Sequence, residues 1–170
     1  CDEAGRSMIP NGGIMVFTYE DGEYQIQQVP VEPKDFEYKM EYKTVHLYYV
    51  RHGETLFNHY NRMQGRSDSP LTAQGIEQVK LSGKALHNID FAFAYCSSAE
   101  RARDTAAYIL ETHDINAIPN RDLREIDFGT YEARVRDSIM DELYQRFNPR
   151  VDFSDVGGES EEQVIERIKR

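Results

Sequence analysis

From Met40 onward the chain alternates strand-type and helix-type segments, and this alternation most constrains what it can fold into. Thr44 to Val50 is β-branched and aromatic and reads as a buried strand. Thr72 is placed to cap a helix whose apolar positions Ile76, Val79 and Leu86 recur at helical spacing. Phe91 to Cys96 reads as a second buried strand. Ser98 is expected to cap the next helix, with Ala102, Ala106 and Ile109 on one face. Ile115 to Ile118 is a short strand that Pro119 should stop. Val135, Ile139, Leu143 and Phe147 step by four along a third helix. Ser160 and Gln163 form a capping box before a last helix that should turn Val164, Ile165 and Ile168 inward. Such alternation predicts an α/β fold: three α/β/α layers around a mostly parallel sheet.

Residues 1–39 have a different texture. Gly13 to Tyr19 and Tyr24 to Val31 are β-rich runs separated by Glu20-Asp21-Gly22-Glu23, which predicts a hairpin. Pro30 to Lys39, with Pro30 and Pro33, reads as an extended connector. The expectation is a hairpin and connector over 1–39 joined with 40–170 into one structural domain.

Composition narrows the function. With 20 basic and 30 acidic residues the net charge is −10. A diffuse nucleic-acid or anionic-membrane binder needs the opposite surplus, so neither partner is expected. Two cysteines exclude a disulfide framework and a Cys-rich zinc module. The longest apolar runs are too short to span a bilayer. A cytoplasmic location is expected.

The chemistry concentrates where the first strand after Met40 ends, at Arg51-His52-Gly53-Glu54-Thr55. Ligands of open α/β sheets bind beyond the carboxyl ends of strands. Gly53 permits a tight turn and close approach of a ligand to backbone N–H groups. A guanidinium beside His52 disfavours the imidazolium, leaving a neutral, nucleophilic ring. Arg51 is also suited to phosphate through paired hydrogen bonds. Taken alone, the string also fits a strand-end histidine in a solvated turn. Arg101 adds weight, because a cation in the first turn of a helix opposes the dipole unless an anion binds there. Arg103 is read instead as a surface charge. After the third strand, Leu123-Arg124-Glu125-Ile126-Asp127-Phe128-Gly129 brings a carboxylate, Glu125, to the same sheet edge. The plainer reading of Glu125 is a surface carboxylate paired with Arg124.

Five strings together resemble the histidine phosphatase superfamily, which includes cofactor-dependent phosphoglycerate mutases. They are RHGETLFN at 51–58, RMQGRSDSPLTAQG at 62–75, SSAERARDTA at 97–106, LREIDFGTYEA at 123–133 and GGES at 157–160. The resemblance spans residues 44–170. It implies a phosphoglycerate mutase-like fold with His52 as nucleophile, forming a phosphohistidine. Arg51 and Arg101 would clamp the phosphoryl oxygens, and Glu125 would act as proton donor and then base. Asn58, Gln64 and Gly65 match positions that line the substrate phosphate. No metal and no other cofactor is implied, and the partner would be a small phosphorylated metabolite. Hydrolysis of a phosphomonoester is expected. The alternatives are a mutase-like phosphotransferase and a non-catalytic phosphate-binding module. Neither the substrate nor the oligomeric state can be read from these strings.

The family's clamp also has a second histidine, in an apolar run followed by Ser-His-Gly beyond the GGES helix. No histidine here fits that pattern. His46 is read as a packed or edge strand histidine, His59 lies in a variable loop, and His87 and His113 close helices. A zinc site from His46, His52 and His59 fits poorly. Residues 9–17, IPNGGIMVF, resemble the family's tail. Residues 1–39 thus look like the end of a family member set ahead of its beginning at Met40. The piece between Arg170 and Cys1 would be a helix–strand–helix unit of roughly 30–40 residues with the second histidine. A lost segment, a circular permutation and a junction of tandem copies each give this order. An incomplete or rearranged single domain is the expectation, with Cys1 a starting point rather than a lipid-bearing residue.

Overall fold

The computed structural model describes residues 11–20, 23–33 and 45–170. Asp21 and Gly22 of the expected hairpin loop, most of the connector and Met40 lie outside them. Strands β1 (Ile14–Glu20), β2 (Glu23–Val31) and β3 (Val45–Val50) form one sheet in the order β2-β1-β3, and both pairings are antiparallel. The hairpin is therefore present, and its first strand is stitched to the strand that leads to His52.

A second, two-stranded sheet pairs β4 (Tyr95–Ser97) with β5 (Ile118–Asn120) in parallel. The fold is mixed α/β, but among the described strands only this pairing is parallel. The predominantly parallel sheet expected from the alternation is thus not formed by these strands. Antiparallel pairing enters because the N-terminal hairpin, not a βαβ crossover, supplies the neighbour of β3. Strand β4 starts later than Phe91, yet Phe91 and Ala94 still pack into the core. Strand β5 runs through Pro119 rather than stopping before it. An edge strand tolerates proline because one side needs no ladder donor.

Five α-helices complete the described elements: α1 (Leu56–His59), α2 (Ala73–Leu86), α3 (Glu100–Ile109), α4 (Met140–Phe147) and α5 (Glu161–Ile168). Thr72 caps α2 by accepting from the Gly75 N–H at 2.9 Å. Ser160 and Gln163 form the expected capping box on α5. Ser98 does not cap α3. The cap position is Ala99, and the Ser98 hydroxyl accepts from Arg124 Nε at 2.7 Å. The expected helix from Val135 is shorter, because Val135 is held extended by a bridge to Arg62. A 3-10 turn over Arg136–Ile139 then leads into α4.

Two apolar clusters organise these elements. Ile14, Val16, Leu86, Ile89, Ile109 and Leu110 join one face of the antiparallel sheet to α2 and α3. Ile14 is fully buried, a contribution of about 1.5–3 kcal/mol. The other cluster gathers Met63, Ile126, Phe128, Tyr131, Ile139, Leu143 and Phe153. Phe153 meets Phe128, Tyr131 and Phe147 edge-on, with ring centroids 5.0–5.6 Å apart. The inward face of α5 differs from expectation: Ile165 and Ile168 are exposed, whereas Arg167 is buried.

Candidate active site

The end of β3 delivers Arg51 and His52 into a loop held from three sides. Gly53 N–H donates to Thr105 Oγ1 of α3 at 3.2 Å, and Glu54 N–H donates to Gln78 Oε1 of α2 at 2.9 Å. From the hairpin side, Gly12 N–H approaches the carbonyls of Arg51 and His52 at 3.2 and 3.3 Å. Gly53 is required by closeness: a Cβ there would lie 2.5 Å from the Gly75 carbonyl oxygen and 2.9 Å from Val79.

This loop fixes the His52 tautomer. His52 Nδ1 lies 2.8 Å from the Gly53 carbonyl oxygen. A carbonyl only accepts, so Nδ1 carries the proton and Nε2 keeps its lone pair in the neutral ring. Burial pushes the imidazole down to about 4, and Arg101 and Arg51 push in the same direction, against the Gly53 hydrogen bond and Asp68. The ring is neutral near pH 7, as the neighbouring guanidinium predicted, but desolvation is the larger cause.

Arg101 sits in the first turn of α3 with 3% of its surface exposed. It donates to the Gly65 carbonyl at 3.0 Å, the Ser67 carbonyl at 3.1 Å and Asp68 Oδ1 at 3.0 Å. Three of its five N–H groups are so engaged, which orients the guanidinium. Arg51 lies near enough to Arg136 and Arg101 to be held below its ordinary value, with burial the first cause. Arg103 is exposed and lies beside Cys96, away from these groups.

The expected phosphate-lining residues fall into place differently. Asn58 closes the capping box of α1, its Oδ1 accepting from the Thr55 N–H at 3.1 Å. Gln64 is buried, its Oε1 accepting from Thr55 Oγ1 at 2.6 Å, while its Nε2 is buried without a partner. Gly65 is pressed so closely that a Cβ would lie 2.1 Å from the Ile126 carbonyl oxygen. Its N–H donates to Glu132 Oε2 at 3.1 Å.

Glu125 is exposed at the rim, its Oε1 accepting from the Ile126 N–H at 2.9 Å. Its plainer pairing with Arg124 is not seen, since Arg124 Nε donates to Ser98. The carboxylate is close enough to act electrostatically on the Arg51 guanidinium.

A cavity of about 220 Å³ is lined by Asn11, Arg51, Asn58, Asn61, Arg62 and Arg136, so of the expected site residues Arg51 and Asn58 line it, and His52, Gln64, Gly65, Arg101 and Glu125 do not. Three guanidinium groups and three amides give it a lining whose chemistry suits an anion. Asn11, Asn61 and Arg136 were not singled out from the sequence. The 3-10 turn that carries Arg136 toward Arg51 interrupts what reads as a continuous helix. Glu132 was also missed. Its carboxylate accepts from the N–H groups of Gly65, Arg66, Ser67 and Phe128 at 2.7–3.1 Å and from the Ser67 hydroxyl. Burial raises this carboxyl, but those hydrogen bonds outweigh it and hold the group below its ordinary value. His59 is exposed against Tyr60, and His113 Nε2 donates to the Leu86 carbonyl at 3.1 Å. Among the described residues, no three His, Cys, Asp or Glu side chains gather closely enough to hold a metal ion. No helix among them is long and apolar enough to cross a membrane.

A strand-end histidine with a fixed tautomer, beside a buried arginine and an arginine-lined cavity, is an arrangement suited to phosphoryl groups. The sequence pattern of the histidine phosphatase superfamily (branch 1) matches residues 47–170, and the chain belongs to this family. A "Probable phosphoglycerate mutase GpmB" from Klebsiella pneumoniae (strain 342) is 38% identical over 126 residues, covering 72% of this chain and 59% of that protein. Among solved structures, phosphoglycerate mutase from Bacillus anthracis str. Sterne is similar with a TM-score of 0.62 at 30% identity, over 69% of this chain and 61% of that one. The alpha-ribazole phosphatase from Shigella flexneri gives 0.61 at 28% identity, over 70% and 61%. The chain spans about three fifths of the length of the curated relatives it matches.

Proposed function

We propose that this protein hydrolyses small phosphomonoesters through a phosphohistidine on His52. The observation that carries the reading is the Nδ1 contact to the Gly53 carbonyl, which leaves Nε2 as the free nucleophile of a neutral ring. Nε2 attacks phosphorus, an N–P bond forms and the ester P–O bond breaks. Glu125 gives its proton to the departing oxygen, then takes one from the water that cleaves the N–P bond. Arg51 and Arg101 face the phosphoryl oxygens, where their charge matters most as negative charge builds in the transition state. Asn58, Gln64 and Gly65 line the phosphate, and the unpartnered Gln64 Nε2 is suited to donate to it.

The reading carries an architecture with it. Residues 1–39 and 40–170 form one domain, supported by Ile14 and Val16 sharing a cluster with Leu86. The overall architecture that goes with this reading is three α/β/α layers around a mostly parallel sheet. The protein acts in the cytoplasm on a small metabolite, without nucleic acid or membrane.

Phosphoglycerate mutase-like transfer is a second reading, favoured by the mutase names of several relatives. The short elements between Gly129 and Gly157 favour hydrolysis, because they enclose little around a substrate. Turnover of an aryl phosphate by the full-length protein and by His52→Ala tests the nucleophile: the variant should be inactive, and equal rates overturn the assignment. An absolute requirement for a bisphosphoglycerate primer overturns hydrolysis in favour of transfer.

A further inference from the structure

The GGES string and the last helix have no part in the chemistry just described, yet they reach both halves of it. Arg167 of α5 is 7% exposed. Its Nη2 donates to the Glu125 carbonyl at 3.3 Å, and its Nη1 donates to the Asp122 carbonyl. Its Nε and Nη2 also grip the two oxygens of Glu159 at 2.9 and 3.2 Å. Glu159 in turn locks Asp127 from both sides. Its N–H donates to the Asp127 carbonyl at 2.9 Å, and its Oε2 accepts from the Asp127 N–H at 3.0 Å.

The same carboxylate reaches the other half of the site. Glu159 Oε1 accepts from Arg66 Nη2 at 2.8 Å. Arg66 belongs to the loop whose carbonyls at Gly65 and Ser67 receive Arg101. Glu159 is therefore the joint between the loop that carries Glu125 and the loop that orients Arg101.

Stability alone does not account for this joint. An apolar side chain would fill the Arg167 position without desolvating a charge, and a buried ion pair is often no more stabilising than such a replacement. Helix α5 instead buries the arginine while Ile165 and Ile168 are 45% and 55% exposed. A bidentate guanidinium–carboxylate pair fixes distance and plane, which an apolar contact does not.

We infer that Glu159 and Arg167 are positioning residues that set the Glu125 loop against the Arg101 loop. The inference rests on the reading of Glu125 as proton donor, and the test separates the two. A misplaced acid matters little when the leaving oxygen is a good leaving group and much when it is a poor one. The full-length protein, Glu159→Gln, Arg167→Lys and Glu125→Gln are assayed on p-nitrophenyl phosphate and on ethyl phosphate. Arg150→Ala removes an exposed ion pair to Glu162 on the same helix and serves as the control.

Glu159→Gln and Arg167→Lys should each lose kcat/KM, which reports the steps up to the phosphohistidine, about tenfold more on ethyl phosphate than on p-nitrophenyl phosphate. Arg150→Ala should match the parent on both. An equal loss on the two substrates, or no loss, overturns the positioning role if Glu125→Gln still shows the selective loss. If Glu125→Gln also treats both substrates alike, the proton-donor reading falls and the positioning role falls with it. Glu159→Gln keeps the shape and one acceptor of the carboxylate, so it decides the question should Arg167→Lys not fold.

Discussion

His52 Nδ1 and the Gly53 carbonyl oxygen lie 2.8 Å apart, and this contact between adjacent residues determines which ring nitrogen is available. A histidine that donates to its own neighbour's carbonyl is oriented without help from a carboxylate. Burial, with the Arg101 and Arg51 guanidinium groups, outweighs the nearby Asp68 carboxylate, which favours the protonated ring.

That relationship has a consequence for stability. His52 is held at about 4 when folded, below the ordinary value of 6.5, with burial the first cause. As pH falls, the unfolded chain takes up the proton first. The contribution of the neutral ring is complete above about pH 6.5 and is lost as pH falls toward about 4, by up to roughly 3 kcal/mol. Urea unfolding at several pH values should show the parent losing more stability than His52→Asn across this window. Parallel losses would place the ring in an environment that does not resist charge.

Arg101 links α3 to the 65–68 loop. Arg101→Ala removes the guanidinium from the Gly65 and Ser67 carbonyls and from Asp68, which keeps the Ser69 and Glu100 N–H groups. Asp68 keeps some access to water, with 26% of its side chain exposed, so the expected loss is roughly 2–3 kcal/mol. Chemical denaturation measures it. Inorganic phosphate should raise the melting temperature of the parent and not of the variant.

Gly65 has no room for a side chain, because a Cβ would lie 2.1 Å from a backbone oxygen and 2.5 Å from Glu132 Oε1. Gly65→Ala must push the 65–67 loop off Glu132. A destabilisation of roughly 1–3 kcal/mol is expected in thermal unfolding. Gly157→Ala is the comparison at an uncrowded glycine, where the cost comes from its φ of +81° alone.

Ile14 tests whether the hairpin belongs to the same cooperative unit as the site. It is fully buried against the α2 and α3 cluster. Ile14→Ala should cost about 2–5 kcal/mol in a single unfolding transition. A helix transition that stays in place while the strands melt separately would divide the domain in two.

Much of this was legible in the sequence, and the exceptions have physical causes. Thr72, Ser160 and Gln163 announced their helix starts because capping is local chemistry within four residues. The strand leading to His52 was legible from its apolar run, but its expected burial was not met, since Val45, Leu47 and Tyr49 are exposed and alternate with half-buried residues. Its antiparallel neighbour was not legible, because pairing partners are chosen by tertiary contact. Ser98 misled because its hydroxyl is taken by Arg124, a residue 26 positions away. On α5, hydrophobicity pointed to Ile165 and Ile168, whereas the buried position went to Arg167, whose partners Glu159, Asp122 and Glu125 are distant in sequence. For the site, His52, Arg51, Arg101 and Glu125 stood out through motif spacing. Glu132 and Arg136 carried no such signal, since their roles arise only where separate loops meet.

If His52 is the nucleophile, phosphate passes through it on the way to water. The most direct measurement is acid-free quenching of the full-length protein during turnover of a labelled phosphomonoester, followed by peptide mapping. An acid-labile, base-stable phosphate is expected on His52 and absent from His52→Ala. Turnover with label on another residue, or with no labelled protein under conditions that preserve phosphohistidine, would contradict it.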